Sequence, residues 1–133
     1  MQYLLSLDAG TTSLKAVLFD KQGRQVASHA EEYELLRPGP DIVELDPETY
    51  WQAAKTSIRA VLDASRITAG DIAAIGVTSQ GETLTVVDRD GKPLRPSIVW
   101  LDNRSREESD ALDREFSPDT VYRITGQPEM IPT

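Results

Sequence analysis

The feature that most constrains this chain is an abrupt turn between two short apolar runs near its amino terminus. The first run, Tyr3–Leu7, ends at Asp8. Only the small residues Ala9–Ser13 separate Asp8 from a second β-prone run, Leu14–Phe19. Short apolar runs bounded by turn residues are typical of buried strands. The sequence therefore predicts two adjacent strands that share a carboxylate and a hydroxyl-rich turn at one end.

This turn has the composition of a polyphosphate site. Gly10 permits close backbone approach, and consecutive amides in such a turn can form an anion-binding nest. Asp8 is suited to position Mg²⁺, which takes one or two carboxylates plus phosphate oxygens, and Lys15 adds a nearby positive charge. A plain β-hairpin with a polar tip accounts for these residues equally well. The hydroxyl donors of the turn are Thr11, Thr12 and Ser13.

A tight hairpin and a third strand follow. Asp20–Arg24 has the composition of a turn in which Gly23 takes a positive φ. The less apolar stretch Arg24–Tyr33 is predicted to be a strand near the edge of the sheet. The same pattern of Asp, two polar residues and Gly recurs in Val87–Lys92, which predicts a second turn with the same chemistry.

One amphipathic helix is clearly marked. Arg37–Pro40 excludes a helix or a central strand and is interpreted as a linker. Asp46 followed by Pro47 is a strong helix start, and the helix is expected to end near Ala64–Arg66. Apolar residues at helical spacing predict one buried face. They are Trp51, Ala54, Ile58, Val61 and Leu62.

The rest of the chain continues the alternation of strands and helices. The β-branched run Ile72–Val77 predicts a buried central strand, and further strands are predicted at Leu84–Val87 and Ser97–Trp100. The predicted order is thus three strands, a helix and three strands.

Two helices are predicted after the last strand. Asp102 or Asn103 is expected to cap a charged helix that ends near Phe116. Ser117 begins a shorter helix that Gly126 stops. Residues 127–133 show no periodicity and are interpreted as a loop.

The composition excludes several classes of function. The 133-residue chain carries a net charge of −8. This charge argues against nucleic acid as a partner, because a protein that binds the phosphate backbone of DNA or RNA needs a basic surface. It has no cysteine, which excludes disulfides and thiolate chemistry. No apolar stretch approaches the ~18 residues of a membrane span, so a cytoplasmic location is expected. The P-loop and Gly-x-Gly-x-x-Gly motifs do not occur either.

Two further polar constellations follow predicted strands, where ligands of α/β sheets bind. Gln80 and Glu82 follow Ile72–Val77 and are suited to hydrogen-bond the hydroxyls of a polyol. Trp100 offers an apolar face to a sugar, and Asp102 is available for hydroxyls. A polar turn, core packing and helix capping are the structural alternatives.

Taken together, four segments resemble the N-terminal domain of the FGGY carbohydrate kinases, which include glycerol kinase and xylulokinase. The resemblance covers essentially the entire chain, and the segments match in order and spacing. They are Asp8–Ser13 with Lys15, Glu44–Glu48 with Trp51, Gln80–Thr83, and Gly91–Leu94 running on to Ile98–Arg104.

This resemblance implies an α/β fold of the ribonuclease H-like, actin/hexokinase type, with a mixed sheet and flanking helices. It implies transfer of the γ-phosphate of ATP, with Mg²⁺, to a hydroxyl of a sugar or polyol. Asp8 would organise the metal. The phosphate-binding residues implied are Gly10, Thr11, Thr12, Ser13 and Lys15; the substrate-binding residues are Gln80, Glu82, Trp100 and Asp102.

The chain departs from the family pattern in its substrate loop. Glycerol kinases carry Arg-Glu where this chain has Gly81-Glu82, and the Met-His pair usual in xylulokinases is also missing. Loss of the arginine removes a multi-donor contact to substrate hydroxyls. We therefore expect a ketose such as a pentulose, or a larger polyol, rather than glycerol.

Length sets the remaining expectations. Residues 1–133 correspond to an incomplete N-terminal kinase domain, and the resemblance places the general base and the nucleotide-binding domain beyond Thr133. Half a cleft is expected to be inactive alone. It is also expected to expose an apolar face and to form a homo-oligomer. A non-enzymatic sugar or nucleotide sensor, or a small interaction module, are the alternatives.

Overall fold

The computed structural model describes residues 2–127, which divide into two compact units. The first unit comprises residues 2–34 and 46–80, and the second comprises residues 35–45 and 81–127. The elements in chain order are β1 (Tyr3–Ala9), β2 (Ser13–Phe19), β3 (Gln25–Glu32), β4 (Leu36–Gly39), β5 (Ile42–Leu45), α1 (Pro47–Ser65), β6 (Ile72–Ser79), β7 (Ser97–Ile98), α2 (Arg106–Glu115) and α3 (Pro118–Thr125).

The first unit is built on a mixed four-stranded sheet in the order β3-β2-β1-β6. The pairs β1–β2 and β2–β3 are antiparallel, whereas β1 and β6 run parallel. The three amino-terminal strands and the edge position of β3 confirm the sequence predictions. A parallel pair needs a long crossover connection, and this one passes through α1.

Helix α1 packs over β2 and β3 and closes the core of the first unit. Leu5, Ala16 and Leu18 from the sheet are buried against Val61 of the helix. The predicted helix start is confirmed, because the Asp46 side chain accepts a hydrogen bond from the Glu48 N–H at 2.9 Å.

The predicted core position of Trp51 is wrong. Its side chain is 59% exposed, with the Lys55 ammonium 5.5 Å from the ring centroid. At about 100° per residue, Trp51 lies roughly 100° around the helix axis from the middle of the buried face. That face consists of Ala53, Ala54, Ser57 and Val61.

The prediction of a buried central strand at Ile72–Val77 is also wrong. Strand β6 forms the edge of the sheet next to β1, with Ile75 56% and Val77 73% exposed. An apolar run shows that a strand is suited to burial, but not that a neighbouring element covers it. The expectation of an exposed apolar face is confirmed here, whereas self-association stays a prediction.

The second unit contains a three-stranded antiparallel sheet in the order β4-β5-β7. Strands β4 and β5 were missed, since the sequence indicated only a linker at Arg37–Pro40. Proline is tolerated in an edge strand, and β4 is one. Conversely, the strand predicted at Leu84–Val87 forms only isolated bridges, from Leu84 to Ile98 and from Val87 to Pro93.

The helices of the second unit match the predictions unequally. Helix α3 begins after Ser117 and ends at Gly126 (φ 79°), as predicted. The predicted Asp102 or Asn103 cap of α2 is wrong, because Ser105 is the residue before its first turn. Asp102 instead makes long-range contacts within this unit. The prediction for residues 128–133 lies outside the described residues.

The two predicted turns share the same hydrogen bonds, one turn in each unit. Asp20 Oδ1 accepts from the backbone N–H groups of Gln22 and Arg24 at 2.9 and 3.0 Å. Asp88 Oδ1 accepts equivalent bonds from Asp90 and Lys92, both at 2.9 Å. Gly23 and Gly91 close the turns with φ values of 75° and 80°.

We predict that Gly23→Ala lowers the free energy of unfolding by about 1 kcal/mol, the cost of a left-handed backbone in an L-residue. Space is not the cause, because no atom lies within 4 Å of an added Cβ. Urea unfolding measures the change. Gly70→Ala is the matched control, since Gly70 is exposed in the same unit without a positive φ. Equal losses in both variants would contradict the prediction.

Candidate functional site

The predicted phosphate loop is the turn that joins β1 to β2. The Gly10 N–H donates to the Ser13 carbonyl at 2.9 Å, which closes the turn. A Cβ on residue 10 would lie 3.1 Å from that carbonyl oxygen, closer than most Cβ contacts allow. The turn therefore favours glycine at position 10, and the Gly10 N–H is already bonded within the turn.

Asp8 lies in a polar row across the end of the sheet. Its register partner is Lys15 on one side and Thr78 on the other. Directly opposed residues of neighbouring strands share a face, and Asp8 lies on the opposite face from Leu7, which packs against the α1 core. Asp8 and Lys15 are both exposed, so this row presents a carboxylate and an ammonium beside the loop.

Tyr33 braces the loop from the side of α1. Its backbone N–H donates to the Thr12 carbonyl at 2.9 Å, and its hydroxyl donates to the Gly10 carbonyl at 2.6 Å. Burial, together with the nearby Tyr50 and Asp8, raises the pKa of Tyr33 to about 12. The hydroxyl therefore stays a donor at neutral pH. Sequence reasoning missed this residue because the contact spans 23 positions.

Gln80 lies beside the loop because β1 and β6 end together. Its backbone N–H donates to the Ala9 carbonyl at 2.9 Å, and its amide nitrogen donates to the Tyr50 hydroxyl at 2.8 Å. The amide oxygen, Oε1, is buried and has no hydrogen-bond partner in the described part of the chain. A buried acceptor without a partner is costly, and it is suited to a hydroxyl donor.

The structure therefore brings together, in the first unit, all the residues predicted to bind phosphate or metal and one residue predicted to bind the substrate. They are Asp8, Gly10, Thr11, Thr12, Ser13, Lys15 and Gln80. The other predicted substrate residues belong to the second unit: Glu82, Trp100 and Asp102.

Glu82 has an unusual backbone in the second unit. Its φ of 64° is in the left-handed region, which a non-glycine residue seldom adopts. The carboxylate is exposed and accepts a hydrogen bond from the Gln127 amide at 2.6 Å. Trp100, 37% exposed, is anchored through its backbone N–H, which donates to the Thr83 hydroxyl at 3.3 Å.

Asp102 is fully buried, and its carboxylate connects Val43 of β5 to Arg104 within the second unit. One carboxylate oxygen accepts from the Val43 N–H and the Arg104 guanidinium, each at 2.7 Å. The other accepts from the Arg104 N–H and Nε. Burial raises the pKa of Asp102, but these hydrogen bonds outweigh it and hold the pKa at about 2. A substrate role for Asp102 stays a prediction.

Arg104 links Asp102 to a second carboxylate. Its guanidinium also donates to Glu44 at 2.8 Å, and Arg95 pairs with Glu44 as well. The hydrogen bond from Arg104 lowers the pKa of Glu44, and the two carboxylates in turn raise the pKa of Arg104. This cluster ties β5 to the segment that follows β7.

No group of three or more His, Cys, Asp or Glu residues suited to a metal occurs within residues 2–127. Magnesium does not need such a group when phosphate oxygens and water complete its coordination. A single strand-end carboxylate such as Asp8 fits that mode of binding. Within the same range, none of the helices has the length and apolarity needed to cross a membrane.

We predict that Asp102→Asn lowers the free energy of unfolding by about 3 kcal/mol at neutral pH, the lower end for breaking a buried pair. Both carboxylate oxygens accept, so the new NH₂ group meets a donor whichever way the amide turns. Because the folded pKa of about 2 lies below the ordinary 3.8, the wild-type advantage is present above about pH 4 and is lost as the pH falls toward 2.

Denaturant unfolding at a series of pH values checks this prediction. Asp110→Asn, at an exposed carboxylate of α2, is the matched control and is expected to change little. A loss in Asp102→Asn that is the same at pH 2 as at pH 7 would contradict the electrostatic origin.

Residues 3–132 match the family model described as the FGGY family of carbohydrate kinases, N-terminal domain. Glycerol kinases from Allorhizobium ampelinum and Thermococcus gammatolerans are 42% and 41% identical over 125 residues. These alignments cover 93% and 94% of this chain but 25% of each relative. The chain thus spans about a quarter of the length of the curated relatives it matches.

Solved structures agree with this match. A xyloylose kinase from Brucella ovis superposes with a TM-score of 0.87 at 32% identity, over 98% of this chain and 27% of that one. Plasmodium falciparum glycerol kinase with ADP gives 0.81 at 28% identity, over 99% and 27%. The predicted actin/hexokinase-type fold, present in part, is confirmed. The chain belongs to the FGGY family of carbohydrate kinases and corresponds to its N-terminal domain.

Proposed function

We propose that the complete protein carrying this chain transfers the γ-phosphate of ATP to a hydroxyl of a sugar or polyol. The observation that carries the proposal is the braced turn at the carboxyl end of two parallel strands, with Asp8 and Lys15 beside it. Ligands of α/β sheets bind outside the carboxyl ends of the strands. Family membership supplies the reaction class.

The residues of the first unit are proposed to serve the phosphate side. Asp8 holds Mg²⁺ directly or through its water shell, and the metal, when bound, neutralises charge on the phosphate oxygens. The hydroxyls of Thr12 and Ser13 and the ammonium of Lys15 complete the polar surroundings of the loop. Positioning and charge stabilisation of this kind account for most of the catalysis of phosphoryl transfer.

The predicted substrate residues are proposed to act through hydrogen bonds in the first unit, and through hydrogen bonds and an apolar surface in the second. The unpartnered Oε1 of Gln80 accepts from a substrate hydroxyl, and the exposed Glu82 carboxylate accepts from another. Trp100 covers the C–H face of the sugar. Asp102 is proposed to act through its hydrogen bonds with Arg104, which fix the backbone after Trp100, since its own oxygens are all engaged.

The preference for a ketose over glycerol stays a prediction from Gly81-Glu82. The relatives named above include both glycerol kinases and a xyloylose kinase, so they do not favour either substrate. The general base and nucleotide domain beyond Thr133, a cytoplasmic location and a homo-oligomer likewise belong to the proposal rather than to the observations.

We predict that the full-length protein releases ADP from Mg-ATP only in the presence of its sugar, and that Asp8→Asn reduces this release at least about 100-fold, the usual cost of one electrostatic catalytic group. A coupled assay with a panel of ketoses, glycerol and larger polyols makes the measurement. Asp63→Asn, at an exposed carboxylate of α1, is the matched control and is expected to retain full activity.

Other results would redirect the proposal. Equal activity of Asp8→Asn and wild type would remove Asp8 from the metal site. A folded full-length protein that binds sugar or nucleotide without releasing ADP would favour the sensor alternative. Turnover by the 133-residue chain alone would contradict the expectation that it is inactive.

A further inference from the structure

We propose that Tyr33 is the positioning residue of the phosphate loop: its backbone and hydroxyl hold two loop carbonyls so that the loop is preset for a polyphosphate. The assignment goes beyond the proposed kinase function and rests on it. Tyr33 is not placed among the residues that contact substrate or nucleotide.

Tyr33 binds the phosphate loop through both its backbone and its hydroxyl. It is bonded to the carbonyls of Gly10 and Thr12, which are separated by one residue. In a trans peptide the C=O and the following N–H point in opposite directions. By fixing these two carbonyls toward itself, Tyr33 also fixes the direction of the Thr11 and Ser13 N–H groups, which point away from it. Two peptide planes of the turn are thus oriented by one residue.

Tyr33 is itself held in place by the core of the first unit. It follows the last residue of β3, and its side chain packs on the buried cluster of Leu14, Ala53 and Ala54. A half-buried ring with two torsions loses little entropy in making the bond. The raised pKa of Tyr33, about 12, keeps the hydroxyl protonated throughout the range of an enzyme assay.

Tyr50, which contacts Tyr33, provides a matched comparison. The rings of Tyr33 and Tyr50 meet edge to face, with centroids 5.5 Å apart. The Tyr50 hydroxyl accepts from Gln80, the proposed substrate residue, at 2.8 Å. The two hydroxyls of one aromatic pair therefore serve different ends of the site, one the loop and the other Gln80.

A tyrosine that only fills space would be replaced by phenylalanine without consequence, since the ring packing is unchanged. If Tyr33 presets the loop, removal of its hydroxyl frees the Gly10 carbonyl while the core stays intact. The effect is then confined to the loop and to steps that use Mg-ATP. The same change at Tyr50 is confined to Gln80 and to steps that use the sugar.

The experiment compares Tyr33→Phe and Tyr50→Phe in the full-length protein. Initial rates of ADP release are measured with Mg-ATP and sugar varied separately. We expect Tyr33→Phe to lower kcat/KM for Mg-ATP about three- to tenfold, the effect of one lost hydrogen bond, with the KM for the sugar unchanged. We expect Tyr50→Phe to raise the KM for the sugar and to leave that for Mg-ATP unchanged.

Amide hydrogen exchange provides a readout that does not depend on turnover. In the ligand-free protein, the peptide covering residues 9–13 is expected to exchange faster in Tyr33→Phe than in wild type, and at the wild-type rate in Tyr50→Phe. Melting temperatures of both variants are measured alongside. We expect the melting temperature to fall by the same small amount in both variants, since both keep the aromatic contact.

The outcomes separate the inference from the function it rests on. The wild-type enzyme could prove active while Tyr33→Phe leaves both the Mg-ATP kinetics and the hydrogen exchange of the loop unchanged. That result would overturn the positioning role alone. A parallel loss of sugar and Mg-ATP kinetics in Tyr33→Phe, with a large fall in melting temperature, would show a general structural role and overturn it too. No ADP release by wild type with any sugar would overturn both.

Discussion

The candidate site depends on the parallel pairing of β1 with β6. In that register Ala9 lies opposite Ser79, so two segments far apart in sequence end at the same level. The Gln80 N–H extends the pairing by one bond to the Ala9 carbonyl. This alignment places Gln80, the proposed substrate residue, beside the turn, because the turn begins where β1 ends and Gln80 directly follows β6. A shift of one residue in this pairing would move the side chains of β6, including that of Thr78, to the opposite face of the sheet from Asp8.

Local signals explain what the sequence predicted correctly. The strands around Asp8, the Asp46 cap and both Asp-x-x-Gly turns depend on residues within a few positions of one another, and all four appear as expected. Such features are determined mainly by backbone preferences and short-range hydrogen bonds. The turn between β1 and β2 was predicted for the same reason, because its residues are consecutive, and its role in phosphate binding stays a prediction.

The errors share the opposite cause. Aspartate is a residue type that often caps helices, but the carboxylate of Asp102 accepts hydrogen bonds from Val43 and Arg104 instead. The contact with Val43 spans 59 positions of the sequence. The exposure of β6 depends on which strands α1 covers, and Tyr33 reaches the loop across 23 positions. In the segment Ile98–Arg104, Asp102 and Arg104 hydrogen-bond each other, and the family motif does not reveal this structural role. A list of motif residues therefore mixes side chains that face a ligand with side chains that hold the frame.

The left-handed backbone of Glu82 has a consequence for engineering. A non-glycine residue held in that region stores roughly 1 kcal/mol or more of strain. Glycine would release this strain, and the loss would be one exposed hydrogen bond, which the carboxylate accepts from the Gln127 amide. Selection for heat resistance alone would therefore favour replacement of Glu82, while selection for turnover would oppose it if the carboxylate binds the sugar. Position 82 is thus a place where thermostability and activity are set against each other.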